Sequence, residues 1–262
     1  MNIRKPKFWD LKKPNLISYL LTPFTFPLII NNFFLNKKKE RMEEIKSICV
    51  GNIYIGGTGK TPTTIKLYEI MRKIEPQICT GKKFYSNHED EKIILEKKTN
   101  LISDKCRKKI IEIAIKKKQK IIIFDDGLQD KNINYDLKFV CFDTENWIGN
   151  GKLIPAGPLR EKISSLKKYD VVFLKDSGFN KNIIEIIKNY NQNIEIFSTF
   201  YQIKNSQNFD LSKKYLVFSG IGNPKNFINL LNKNNFKIIE QIVFPDHYDY
   251  KQKDIDFIKN KA

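Results

Sequence analysis

Two stretches of the chain carry residue types whose spacing can do chemistry. The first is Tyr54-Ile55-Gly56-Gly57-Thr58-Gly59-Lys60-Thr61, which follows an apolar run and opens a helical pattern. Glycines let backbone N–H groups curl around an anion, and a helix N-terminus adds partial positive charge. Lys60 can reach the β- and γ-phosphates, and the Thr61 hydroxyl can hold Mg²⁺. Pro62 suits the first helical turn, where its missing N–H costs nothing. Tyr54 stands where the GxxxxGK[ST] pattern has Gly, so a plain Gly-rich turn is the competing reading; it does not account for strand, loop, Gly-Lys-Thr and helix in that order. The second stretch is Ile121–Phe124 followed by Asp125-Asp126. A buried strand ending in carboxylates is where such a fold places the acid that holds Mg²⁺ or its water. The two stretches together predict a nucleoside-triphosphate site.

These residues belong to a longer series. Gly51-Asn52 leads into Gly56–Pro62; then come Asp125-Asp126-Gly127-Leu128-Gln129, Pro155-Ala156-Gly157-Pro158-Leu159-Arg160-Glu161, Ser219-Gly220-Ile221-Gly222-Asn223-Pro224 and Phe244-Pro245-Asp246-His247. In this order, from Phe8-Trp9 to the end, the chain resembles the tetraacyldisaccharide 4′-kinase family of membrane-associated enzymes. The resemblance implies transfer of the ATP γ-phosphoryl group, with Mg²⁺, to the 4′-hydroxyl of a lipid A disaccharide 1-phosphate, at the cytoplasmic face of the bacterial inner membrane. It implies Gly56, Gly57, Thr58, Gly59, Lys60 and Thr61 as nucleotide-binding, and Thr61, Asp125 and Glu161 around the metal. Asp126, Gln129, Glu91 and Arg160 would line the same cleft. The family's Gly-Asp-Glu-Pro segment reads Glu89-Asp90-Glu91-Lys92 here, which implies Asp90 as the base and His247 as its orienting partner. Asn87 to Glu91 also reads as a helix cap followed by first-turn acids. The family's Arg-Gly-Tyr is replaced by Thr80-Gly81-Lys82-Lys83-Phe84-Tyr85, so its substrate contacts do not carry over. Relatives continue past the Asp-His segment, so 206–262 is expected to be an incomplete second lobe.

The elements that must position these groups follow from hydrophobic periodicity. Strands are predicted at Ser47–Ile53, Gln77–Thr80, Lys120–Asp125, Lys138–Asp143, Asp170–Lys175, Ile194–Tyr201, Tyr215–Ser219 and Lys237–Phe244. Helical spacing fills Thr61–Ile74, Asp104–Lys118, Asn180–Tyr190, Pro224–Asn232 and Lys251–Lys261. Continuous apolar strands alternating with helices predict an α/β, P-loop NTPase-like doubly wound fold with a mostly parallel sheet. The expected organisation is an N-terminal membrane-associated helical segment (1–46), a nucleotide-binding core (47–205) and a smaller α/β lobe (206–262), with Gln202–Ser212 as the polar boundary. Leu16 to Leu35 carries no charge and is flanked by Lys12, Lys13 and Lys37–Lys39. Pro23, Pro27, Asn31 and Asn32 interrupt it, which favours a segment lying on an anionic surface over a span; a buried helical hairpin is the alternative.

The 262 residues carry 47 Lys+Arg against 29 Asp+Glu, a net charge of +18, but only five of the cations are arginines. Without the bidentate guanidinium fork, and with Lys abundant everywhere, the excess does not call for a nucleic-acid partner. Cys49, Cys79, Cys106 and Cys141 stand far apart beside apolar runs, so buried thiols of a reducing compartment are expected and no zinc site is suggested. Partitioning-type ATPases share a GGxGKT loop, but they place a Lys directly before the two glycines, where this chain has Ile55. A basic adaptor would leave the loop and the Asp pair unexplained.

Overall fold

A computed structural model describes residues 5–34, 43–84, 89–130, 132–175, 180–245 and 248–262. The chain divides into two compact units, 5–199 and 200–262.

The first unit opens with two short helices, α1 (Leu16–Leu21) and α2 (Phe26–Phe34), joined by a 3₁₀ turn over Thr22–Thr25. Pro23 sits at the start of that turn, where a continuous helix would need its N–H. The core follows in chain order: β1 (Lys46–Gly51), α3 (Lys60–Met71), β2 (Ile78–Lys83), α4 (Glu89–Lys98), β3 (Leu101–Asp104), α5 (Arg107–Lys116), β4 (Ile121–Asp125), β5 (Leu137–Asp143), β6 (Val171–Lys175), α6 (Lys181–Tyr190) and β7 (Glu195–Thr199). Among the described residues these strands form one seven-stranded sheet in the order β3-β2-β4-β1-β5-β6-β7, every pair parallel.

Strand side chains alternate between faces, and the core divides accordingly. Cys49, Ile122, Phe124, Val140 and Phe142 pack with Ile110, Ile111 and Ala114 of α5 and Ile183 and Ile187 of α6. Ile48, Val50, Ile123, Phe139 and Cys141 pack on the opposite face with Tyr68 of α3. Helices on both faces of a parallel sheet make this a doubly wound α/β unit. β1 lies between β4 and β5, so the chain reverses its direction of winding there, and the carboxyl ends at that point are where such sheets bind ligands.

The second unit comprises β8 (Lys214–Ser219), α7 (Pro224–Lys233), β9 (Lys237–Val243) and α8 (Gln252–Lys261), with β8 and β9 paired in parallel.

Several predicted boundaries are corrected. The helix expected from Asp104 begins at Arg107, because Leu101–Asp104 pairs with Thr80–Lys83 as a strand. β3 is absent from the predicted strands, and α4 is foreshadowed only by the cap reading of Asn87–Glu91; α4 buries Leu95, while Ile93 and Ile94 are about half exposed, so it lacks a wide apolar stripe. β1 ends at Gly51 rather than Ile53, and β7 at Thr199 rather than Tyr201. Cys106 is exposed at the N-cap of α5, unlike the three buried cysteines.

Candidate active site

β1 hands the chain to Asn52, a fully buried residue that organises the loop after it. Its Nδ2 lies 2.6 Å from the Tyr54 carbonyl, 3.1 Å from Thr58 Oγ1 and 3.3 Å from the Gly56 carbonyl. Gly59, the N-cap of α3, has φ +85°, a left-handed conformation that glycine takes without steric cost. A second segment braces the loop from behind. Tyr54 bridges Leu159 in antiparallel fashion, the Ile55 N–H donates to the Pro158 carbonyl (2.9 Å), and the Arg160 N–H donates to the Ile53 carbonyl (2.7 Å). Tyr54, Leu153 and Leu159 form a small buried cluster there. The residue that breaks the GxxxxGK[ST] pattern is thus a packing element of the loop.

Two polar networks leave the end of this loop. The first runs through Asp125, at the carboxyl end of β4 and 1% exposed. Thr61 Oγ1 donates to its Oδ2 (2.9 Å), Thr64 Oγ1 lies 3.3 Å from its Oδ1, and Lys82 Nζ donates to Oδ2 (2.6 Å). Lys82 comes from β2, is 6% exposed, and donates also to Glu91 Oε2 on α4 (2.6 Å). Burial desolvates the Lys82 ammonium and works against its charge, yet Asp125 and Glu91 outweigh that and hold its pKa above the ordinary lysine value.

The second network runs through Asp126, which has φ +62°. Its carboxylate is 3.8 Å from Lys60 Nζ and 3.4 Å from Arg160 Nη1, while Arg107 donates to its carbonyl. Burial would raise the Asp126 pKa, but Lys60, Arg160 and Arg107 together hold it below the usual carboxylate range. Gln129 Nε2 joins the Asn52 carbonyl (3.0 Å) to Glu161 Oε1 (2.8 Å), and the Tyr169 hydroxyl donates to the same Glu161 oxygen (2.9 Å). Glu161 is 4% exposed and so has its charge met by an amide, a phenol and Lys168 at 3.9 Å. Arg160, next to it in the chain, turns to Asp126 and Gln129 instead.

The structure therefore brings together Gly56, Gly57, Thr58, Gly59, Lys60, Thr61, Asp125, Asp126, Gln129, Arg160, Glu161 and Glu91. Asp90 is exposed in the first turn of α4, one residue before Glu91. His247 lies outside the described residues, as do His88 and Lys37–Lys39. Four participants escaped the sequence reading: Asn52 as loop organiser, Thr64, Tyr169 and Lys82. A visible signal for Lys82 was its place in the segment that departs from the family's Arg-Gly-Tyr. Thr61 Oγ1 and Asp125 Oδ2 are a pair of hard oxygens of the kind Mg²⁺ takes, and Lys60 and Arg160 are cations beside a glycine loop; the donor set fits a metal–triphosphate.

The family model for tetraacyldisaccharide-1-P 4′-kinase matches residues 21–80 and 72–262, which include both networks. The chain belongs to this family. A tetraacyldisaccharide 4′-kinase of Pelagibacter ubique (strain HTCC1062) is 49% identical over 261 residues, 98% of this chain and 82% of that protein. That of Rickettsia akari (strain Hartford) is 36% identical over 278 residues, again 98% and 82%. Among solved structures, LpxK from Aquifex aeolicus in complex with ATP superposes with a TM-score of 0.68 at 21% identity, covering 90% of this chain and 84% of that one. The 4′-kinase fold is thus shared across the chain, and the Pro155–Glu161 segment that carried the resemblance is the one that braces the phosphate loop.

Proposed function

We propose that this 4′-kinase family member transfers the γ-phosphoryl group of ATP to the 4′-hydroxyl of a lipid A disaccharide 1-phosphate. The observation that carries the reading is the Thr61–Asp125–Lys82–Glu91 chain of contacts, which joins the end of the phosphate loop to the helical turn bearing Asp90. Lys60 and Arg160 supply fixed positive charge beside the loop, where charge spread over the transferring phosphoryl group needs it. Thr61 and Asp125 would hold Mg²⁺, which would supply positive charge against the charge developing on the phosphates. Asp90 accepts the proton of the 4′-hydroxyl as that oxygen bonds to the γ-phosphorus. The bond from γ-phosphorus to the bridging oxygen breaks, and ADP leaves with the electron pair. The resemblance implies His247, outside the described residues, as the partner of Asp90. Glu161, met by Gln129 and Tyr169, acts on the metal site through Gln129 and the loop.

The substrate is a lipid, and the first unit presents a surface suited to reach it. Leu16, Ile17, Leu20, Phe24 and Phe26 are each at least half exposed on α1, the turn after it and the start of α2. A stretch of this kind, with Lys12 and Lys13 before it, suits shallow attachment to an anionic leaflet. In this reading residues 1–46 attach, 47–205 carry the nucleotide site and 206–262 form a second lobe, at the cytoplasmic face of the inner membrane.

In detergent, ADP formation should depend on added disaccharide 1-phosphate. Asp90→Ala should abolish that dependence, with a loss of about 10²–10⁴-fold, while a fluorescent ATP analogue still binds. Unchanged turnover of Asp90→Ala would put the base elsewhere.

A further inference from the structure

Lys82 lies outside the phosphate loop, yet its buried ammonium touches both Asp125 of β4 and Glu91 of α4, at 2.6 Å each. Asp125 is in turn held by Thr61 of the loop helix. A cation of β2 thus bridges a carboxylate of β4 and a carboxylate of α4. Such a bridge constrains both partners at short range, with its Asp125 end fully buried and its Glu91 end partly exposed. Glu91 is adjacent to Asp90, so whatever fixes Glu91 restricts where the first turn of α4 can present Asp90.

We infer that Lys82 is a positioning residue: its ammonium tethers the first turn of α4 to the Asp125 end of the phosphate loop and so holds Asp90 in register with the transferring phosphoryl group. The inference rests on the kinase reading for its catalytic purpose, and on the ion-pair geometry for the tether itself. A displacement of the base by about 1 Å is enough to cost 10²-fold in turnover.

The tether has its own readout. The first amides that α4 can protect with its own hydrogen bonds are those of Ile93 to Leu95, since the first four N–H groups of a helix lack internal partners. Hydrogen exchange of the full chain should show these amides in Lys82→Met exchanging about tenfold or more faster, as expected of a local opening, with those of α3 beyond Thr64 unchanged. In the same variant kcat with the lipid acceptor should fall by about 10–100-fold, the usual effect of losing a supporting contact, while Kd for a fluorescent ATP analogue moves less than about threefold. Lys82→Arg, which can still bridge two carboxylates, should recover part of kcat. Glu91→Leu, which has no acceptor, cuts only the outer half of the bridge and leaves the buried Lys82–Asp125 pair, so it reads the same tether if Lys82→Met does not fold. Unchanged exchange at Ile93–Leu95 in the folded variants overturns the inference. So does a loss of nucleotide affinity matching the loss of kcat, which would make Lys82 a support of the loop alone. An Asp90→Ala enzyme with full transfer activity overturns the kinase role of Asp90 and with it the catalytic purpose of Lys82, whereas the exchange result speaks only to the tether.

Discussion

An ammonium withdrawn from water loses several kcal/mol of hydration, and in this chain Lys82 recovers it from two carboxylates at once. The same reckoning runs in reverse at Asp126, where burial opposes the charge and Lys60, Arg160 and Arg107 overcome it. At the buried thiols, burial outweighs the nearby cations. Burial pushes Cys79 and Cys141 up to about 12 and holds Cys49 well above the ordinary thiol value, whereas Cys106 is exposed. A disulfide reagent at pH 8 should therefore consume one thiol, Cys106, in the native protein, and the other three only on unfolding. A thiol whose folded pKa is raised gives stability that is fully present below its unfolded value and is lost as pH rises toward the folded one. The share from Cys79 and Cys141 should thus fade between about 9 and about 12; a denaturation midpoint that falls less steeply over that range in Cys141→Ala would bear this out, and prompt native labelling of all four thiols would contradict it. At this scale the loop Gly56–Thr61 and Asp125 were legible because loop and helix start are contiguous and because a carboxylate ends an unmistakable apolar run. Lys82 was not, since its partners lie on other elements and a lysine reads as surface until the sheet closes over it.

Elements were legible where one face or both are buried along their length. Ile121–Phe124 is a continuous apolar run because β4 sits mid-sheet with helices on both sides, and its observed end at Asp125 matches the predicted one. β3 has four residues at the sheet edge, and α4 has a sequence rich in charge with Leu95 as its buried anchor, so neither has a period long enough to read. What the periodicity could not reveal is how closely strands and helices approach. A Cβ on Gly81 would lie 2.8 Å from a ring carbon of Phe124 and 3.1 Å from Ile110, both fully buried. Gly81→Ala should therefore lower the unfolding free energy by about 1–3 kcal/mol, the ordinary cost of overpacking, read as a shift in the urea midpoint at constant slope. A variant as stable as the parent would mean that Phe124 and α5 yield more easily than a packed core allows.

At the scale of the whole molecule, the +18 charge and the apolar N-terminal surface meet in one expectation. Among the described residues no helix is long and apolar enough to cross a membrane, and Leu20 and Phe24 are 66% and 67% exposed. Replacing both with Asp should leave the fold intact and reduce flotation with phosphatidylglycerol vesicles by about tenfold or more, since each apolar side chain buried is worth about 1.5–3 kcal/mol; undiminished flotation would mean that the charge alone holds the protein to the surface. The N-terminal helices are also stitched to the loop's brace: Asn32 donates to the Arg160 carbonyl (2.8 Å) and Trp9 Nε1 to the Pro155 carbonyl (3.0 Å). The exposed apolar N-terminal segment and the brace of the phosphate loop thus share a single scaffold. The central claim is phosphoryl transfer to a lipid acceptor at that scaffold. Its most direct test is incubation of the purified protein in detergent with γ-labelled ATP and the disaccharide 1-phosphate, followed by separation of the lipid. Label should appear in the lipid, and Lys60→Ala should lose it by about 10²–10³-fold. Label released as inorganic phosphate, with none in the lipid, would contradict the account.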